Sequence, residues 1–120
     1  MSNENLKIRT KQFALRIIKL VESLPRDLTA NVLGRQLLRS GTSVGANYRA
    51  ACRGKSVADF IAKMGTVEEE ADESGYWMEL LVESGKIKSA KVSKLMQEAG
   101  ELTAIAVSSI NTARKSGSRR

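Results

Sequence analysis

Ser43 is the first residue whose surroundings could support catalysis. It sits in Gly41-Thr42-Ser43-Val44-Gly45, which fits the G-x-S-x-G pattern of a hydrolase nucleophile elbow. That chemistry needs a strand before the serine, a helix after it and a general base for the hydroxyl proton, normally histidine. The chain has no histidine, and no segment here reads as a strand. So short a pattern also matches by chance, and the stretch is better explained by helix packing.

A second candidate is the run Glu68-Glu69-Glu70-Ala71-Asp72-Glu73. Carboxylates projecting into a bundle can hold two metal ions, but that arrangement pairs them with Glu-x-x-His on facing helices. The partners are missing, so an acidic face in solvent or between subunits is expected, with no metal. The third candidate is basic. Arg35, Arg39, Thr42, Ala46, Arg49 and Arg53 fall within about 80° of arc at ~100° per residue. Guanidinium groups in such a row can hold phosphate oxygens without reading sequence. A solvated face would look the same, as would a contact between copies in which this stripe meets the acidic face. Tyr76, on that acidic face, reads as an interface anchor, whereas Trp77 and Tyr48 read as packing residues.

Four amphipathic helices must position these groups. The first is expected over residues 3–23, with Leu6, Phe13, Ile17, Leu20 and Leu24 on one face and Pro25 ending it. The second is expected over 28–53, burying Leu33, Leu37, Ser40, Val44, Tyr48 and Ala51. Its glycines, Gly34, Gly41 and Gly45, each cost about 1 kcal/mol of helix propensity relative to alanine. They imply a neighbouring backbone in close approach. Ser56 and Asp59 have capping-box spacing and open a third helix over 57–84, whose core stripe is Phe60, Met64, Val67, Ala71, Met78 and Leu81. Gly85 reads as its C-cap. The fourth is expected over 90–113, with Val92, Leu95, Ala99, Leu102, Ile105, Ala106 and Ile110 inward. Short connections make this an all-α, antiparallel up-down-up-down four-helix bundle, one domain over 1–114, followed by a disordered basic tail, 115–120.

Composition agrees with that class. One proline and few aromatics argue against sandwiches and barrels. A single cysteine, Cys52, excludes an intramolecular disulfide and points to a reducing cytoplasm. No run approaches the roughly 18 apolar residues of a membrane span. The net charge of +7 is lopsided: residues 1–60 hold eleven Lys/Arg against Glu4, Glu22, Asp27 and Asp59. A basic half suits a polyanion or an acidic protein surface.

The run RSGTSVGANYRAACRGKSVADFIAKMGTVEEEADESGYWMELL, residues 39–81, resembles the signature of the bacterial proteins first noticed in intervening sequences of 23S ribosomal RNA genes, the S23-like four-helix bundle proteins. Ser40, Ser43, Asn47, Arg53, Phe60, the acidic run and Tyr76-Trp77 fall in the family's order. Gly75 departs from it, standing where relatives are expected to carry a larger residue. The resemblance implies an antiparallel bundle that assembles as a ring-like homopentamer. It also implies kinship with the accessory proteins of diversity-generating retroelements, which bind nucleic acid and a reverse transcriptase. It attaches no enzymatic activity, cofactor or small-molecule substrate.

The expected function is therefore non-catalytic: a homo-oligomer binding RNA or DNA through Lys7, Lys11, Arg16, Arg35, Arg39, Arg49, Arg53 and Lys55. Arg39, Arg49, Glu69, Asp72, Glu73, Tyr76 and Glu79 are the candidates for subunit contact. The rival expectation is a protein-binding scaffold with no nucleic-acid role.

Overall fold

A computed structural model describes residues 3–118. It contains α1 (Asn3–Glu22), α2 (Leu28–Cys52), α3 (Val57–Glu83) and α4 (Ser89–Ser118). Each helix packs on the next in sequence, and α1 meets α4 only sparsely. The product is an all-α up-down four-helix bundle, a rod of 53 × 21 × 19 Å.

Periodicity places the core where the sequence puts it. Phe13, Ile17, Leu37, Val44, Met64, Met78, Leu81 and Val92 are fully enclosed, each large side chain contributing roughly 1.5–3 kcal/mol by leaving water. Leu24, Leu33, Phe60 and Ile105, expected to face inward, are only half-buried at the edge of the core. Two polar positions join the core unforeseen. Thr10 fills the step between Leu6 and Phe13, its hydroxyl donating to the Leu6 carbonyl at 2.8 Å. Ser74 lies opposite Ser40, with the two hydroxyl oxygens 3.0 Å apart between α3 and α2.

The glycines of α2 do bring α1 close. A Cβ added at Gly41 would lie 2.8 Å from Ile17 Cγ1, one at Gly45 3.3 Å from Thr10 Oγ1, and one at Gly34 3.5 Å from Val21 Cγ1 and 3.2 Å from Leu24 just beyond the helix. Helix ends follow local chemistry. Asp27 caps α2, accepting from the Ala30 amide at 2.8 Å, and its other oxygen meets Lys86 Nζ at 3.1 Å. Gly85 (φ +78°) closes α3: its amide donates to Val82 O and the Lys86 amide to Leu81 O, the paired bonds of a Schellman end. The Ser56–Asp59 box forms by half. The Asp59 amide donates to Ser56 Oγ at 3.0 Å, but an aspartate is one methylene shorter than the glutamate that would reach back.

Helix α4 runs to Ser118, past its expected end near Ala113 and through most of the segment read as a disordered tail. A Cβ added at Gly117 would lie 3.4 Å from Val57 Cγ1 at the start of α3, and Lys115 sits in a last turn whose exposed carbonyls favour cations. Arg119 and Arg120 lie outside the described residues.

The cap makes the rod acid-sensitive. The Ala30 amide, and after it Lys86, hold the Asp27 carboxyl below its ordinary 3.8; the Gln97 amide and then Arg9 hold that of Glu101 below its ordinary 4.5. A depressed folded-state pKa adds stability that is complete above the unfolded value and disappears as pH falls through the folded one. The melting temperature should therefore fall on acidification below about pH 4.5. Asp27→Asn keeps a good cap but removes one titration, so its melting temperature should vary less with pH in that range, as a circular dichroism series would show.

Candidate nucleic-acid interface

The helix 2 arginines project where helical phase sends them, and what they meet differs. Arg39 is engaged within its own chain: Nη1 donates to Glu70 Oε2 at 2.9 Å and Nη2 to Glu73 Oε1, while Trp77 Nε1 donates to that same Glu73 oxygen at 3.1 Å. Arg39 and Glu73, read from sequence as partners across copies, thus pair across the α2–α3 seam of one chain. They face each other because α2 and α3 are antiparallel neighbours in close contact. Arg49, Arg53 and Lys55 stay exposed near the end of α2.

Lys7, Lys11 and Arg49 come together. They line an α1–α2 groove of about 480 Å³ with Ile8, Thr42 and Ala46, and no carboxylate lines it. Lys7 has only a loose contact with Glu4, at 3.9 Å. Arg35 lies apart, beside Arg26 and Glu22 in a second groove nearer the α1–α2 turn. Arg16 faces the opposite side of α1, toward α4, where it shares a groove with Lys19, Lys91 and Lys94. The sequence reading missed these three lysines. Their signal was the three-residue spacing of Arg16 with Lys19 and of Lys91 with Lys94, which puts each pair on one helix face.

Farther along the α1–α4 seam, Arg9 grips α4. Its Nε and Nη2 donate to the two oxygens of Glu98, both at 2.7 Å, and Nη2 also donates to Glu101 Oε1 at 2.7 Å. Bonding to Glu98 holds the guanidinium pKa above its usual value, against the opposing effect of burial.

The acidic face divides as well. Glu69, Asp72 and Glu79 are exposed and Tyr76 is half-exposed at 51%, its ring edge-on to Trp77 with centroids 5.2 Å apart. Asp72, Tyr76 and Glu79 border an α3–α4 groove of about 340 Å³ where Gly75 and Gly100 leave the floor open. The small residue at 75 thus creates a groove. Among the described residues, no three or more Cys, Asp or Glu side chains cluster closely enough to hold a metal ion.

Ser43 lies midway along α2 with helix on both sides, so no strand-to-helix elbow forms there. Its Oγ accepts from Asn47 Nδ2 at 2.9 Å, and an amide that donates cannot take the serine proton. Burial pushes the Tyr48 phenol pKa well up, helped by Cys52 one turn away, which keeps the ring neutral within the core. No helix among the described residues is long and apolar enough to cross a membrane.

Comparison with known proteins agrees with this geometry. No curated protein matches the chain. A crystal structure of a protein of unknown function from the S23 ribosomal protein family of Bacteroides thetaiotaomicron superposes with a TM-score of 0.85 at 35% identity, covering 92% of this chain and 99% of that one. Residues 4–108 match the family described as 23S rRNA-intervening sequence protein. With residues 4–108 matched and 92% of its length superposed on a relative, the chain belongs to the 23S rRNA-intervening sequence protein family.

Proposed function

We propose that the protein is a non-catalytic homo-oligomer that binds RNA through its basic surface. One observation carries the reading: the internal ion pairs consume acids and leave cations over. Arg9, Arg39 and Lys86 engage Glu98, Glu101, Glu70, Glu73 and Asp27. Lys11, Arg16, Arg35, Arg49, Arg53 and Lys55 form no ion pair among the described residues, and all six are exposed. Cations gathered in excess on α1 and α2 attract phosphates and release counterions on binding.

Binding of a labelled, folded RNA should therefore weaken steeply between about 0.05 and 0.2 M salt, the log–log slope giving roughly 0.7–0.9 per phosphate contact. Lys11→Gln/Arg49→Gln should lower both affinity and slope in fluorescence anisotropy. Absence of binding at the lower salt would defeat the reading.

That outcome would leave the protein-scaffold reading, which rests on apolar side chains that the bundle leaves uncovered. Leu28 is 79% exposed, Ile8 57% and Val32 50%, all on α1 and α2. A ring of five, implied by the family resemblance, needs one face to meet a different face of the next copy. These apolar residues with Arg49, against the acidic groove around Tyr76, supply two such faces.

A further inference from the structure

The groove between α1 and α4 gathers four cations, against three in the equally acid-free α1–α2 groove. Arg16 and Lys19 form one wall and Lys91 and Lys94 the other, above a floor that includes Leu20, Ile87 and Leu95, in a volume of about 390 Å³. No carboxylate lines it. All four cations are exposed, and none has an ion pair or side-chain hydrogen bond among the described residues.

The missing counter-charge has a structural cause. The only acids of α4 are Glu98 and Glu101, and Arg9 holds both. The only acids of α1 are Glu4, beside Lys7, and Glu22, in the α1–α2 groove. Fold stability does not explain Lys91, which stands in the first turn of α4, where the helix macrodipole disfavours a cation. Antiparallel packing brings that helix end beside Arg16 and beside Lys19, which stands in the last turn of α1 and offsets its negative end; the side-chain charges are left in excess over an apolar floor.

We propose that this α1–α4 cleft binds the phosphate backbone of a nucleic-acid duplex, a proposal that rests on the RNA-binding reading and gives it a site. Two cations on each wall, a turn apart, can hold a phosphate from both sides. No aromatic side chain lines the cleft, so an unpaired strand would gain none of the base stacking that single-strand binders use. A duplex already has its bases stacked and offers only phosphate and sugar. Contacts of that kind position a duplex without reading its sequence.

The test uses the full chain and fluorescence anisotropy with two unrelated RNA duplexes of about 20 base pairs and a single strand of oligo-uridine of equal length, across a salt series. The duplexes should bind alike and more tightly than the single strand. Lys91→Gln/Lys94→Gln should reduce duplex affinity roughly 50-fold at about 0.1 M salt and the log–log slope by about two. Lys91→Arg/Lys94→Arg should retain binding, and circular dichroism should show all variants folded, since these side chains are exposed. If the wild type binds duplex RNA, Lys11→Gln/Arg49→Gln weakens it and Lys91→Gln/Lys94→Gln does not, the cleft is overturned while the RNA-binding reading stands. Tighter binding of the single strand would also overturn the cleft. If the wild type binds no RNA at low salt, both fall.

Discussion

Gly41→Val should cost about 3 kcal/mol and lower the melting temperature by roughly 10 °C. A glycine within a helix is ordinarily a weakness, and replacing it should gain up to about 1 kcal/mol in propensity. At position 41 packing outweighs that gain. The added Cβ would meet Ile17 Cγ1, Cγ2 and Cβ at 2.8, 2.9 and 3.1 Å. Ile17 is fully buried, and its branched side chain keeps one rotamer in a helix, so relief requires moving α1. Ile17→Ala removes the two γ carbons in the way. The double variant Ile17→Ala/Gly41→Val should therefore be more stable than the sum of its single costs predicts, by about 1 kcal/mol or more in a double-mutant cycle read by urea unfolding. Gly65→Ala is the control. Nothing lies within 4 Å of a Cβ there, and that change should stabilise by up to about 1 kcal/mol.

Arg9→Met should be the most damaging change at a partly exposed residue. It keeps the aliphatic bulk but removes three charge-assisted hydrogen bonds, leaving Glu98, whose side chain is only 15% exposed, without its cation. The cost should be about 2 kcal/mol, below the 3–5 of a fully buried pair because water reaches the site. Glu98 is four residues from Lys94, within reach along one helix face. A freed Glu98 can then neutralise a wall of the basic cleft. Arg9→Met should consequently weaken duplex RNA as well as lower the melting temperature, whereas Arg9→Lys should retain part of both. Unchanged unfolding of Arg9→Met in urea would show the clamp to be ornamental.

The bundle was legible in the sequence because a helix repeats every 3.6 residues. Leu37, Val44 and Tyr48, or Met64, Ala71 and Met78, mark a buried face wherever the chain leads. Gly41 and Gly45 were legible for a related reason: unbroken phase across them meant helix, and their cost required a close neighbour. Pairings between distant helices were not legible. Arg9 and Glu98 are 89 positions apart, and neither has a neighbour in sequence that reveals the other. The same holds for Ser40 with Ser74: periodicity places Ser40 on the buried face of α2 but names no partner for it, and marks Ser74 only as a small polar position. Among the candidate sites, Lys7, Lys11 and Arg49 proved to share one groove. Arg16 belongs to a different surface, shared with Lys19 of its own helix and with Lys91 and Lys94 of α4, and Arg39 is occupied by the acidic helix it was expected to meet in another copy.

The order of packing also bears on how the chain acquires its structure. The α1–α2, α2–α3 and α3–α4 seams each join helices adjacent in sequence, so most contacts close short loops, the topology associated with fast folding. The sparse α1–α4 seam instead joins the two ends of the chain. Closing it requires the largest loop, and the Arg9 clamp forms only then. Folding is expected to zip from neighbour to neighbour and finish at this seam. Hydrogen exchange under native conditions should find its amides among the first to open, so a nucleic acid bridging α1 and α4 would slow exchange on both sides of the cleft.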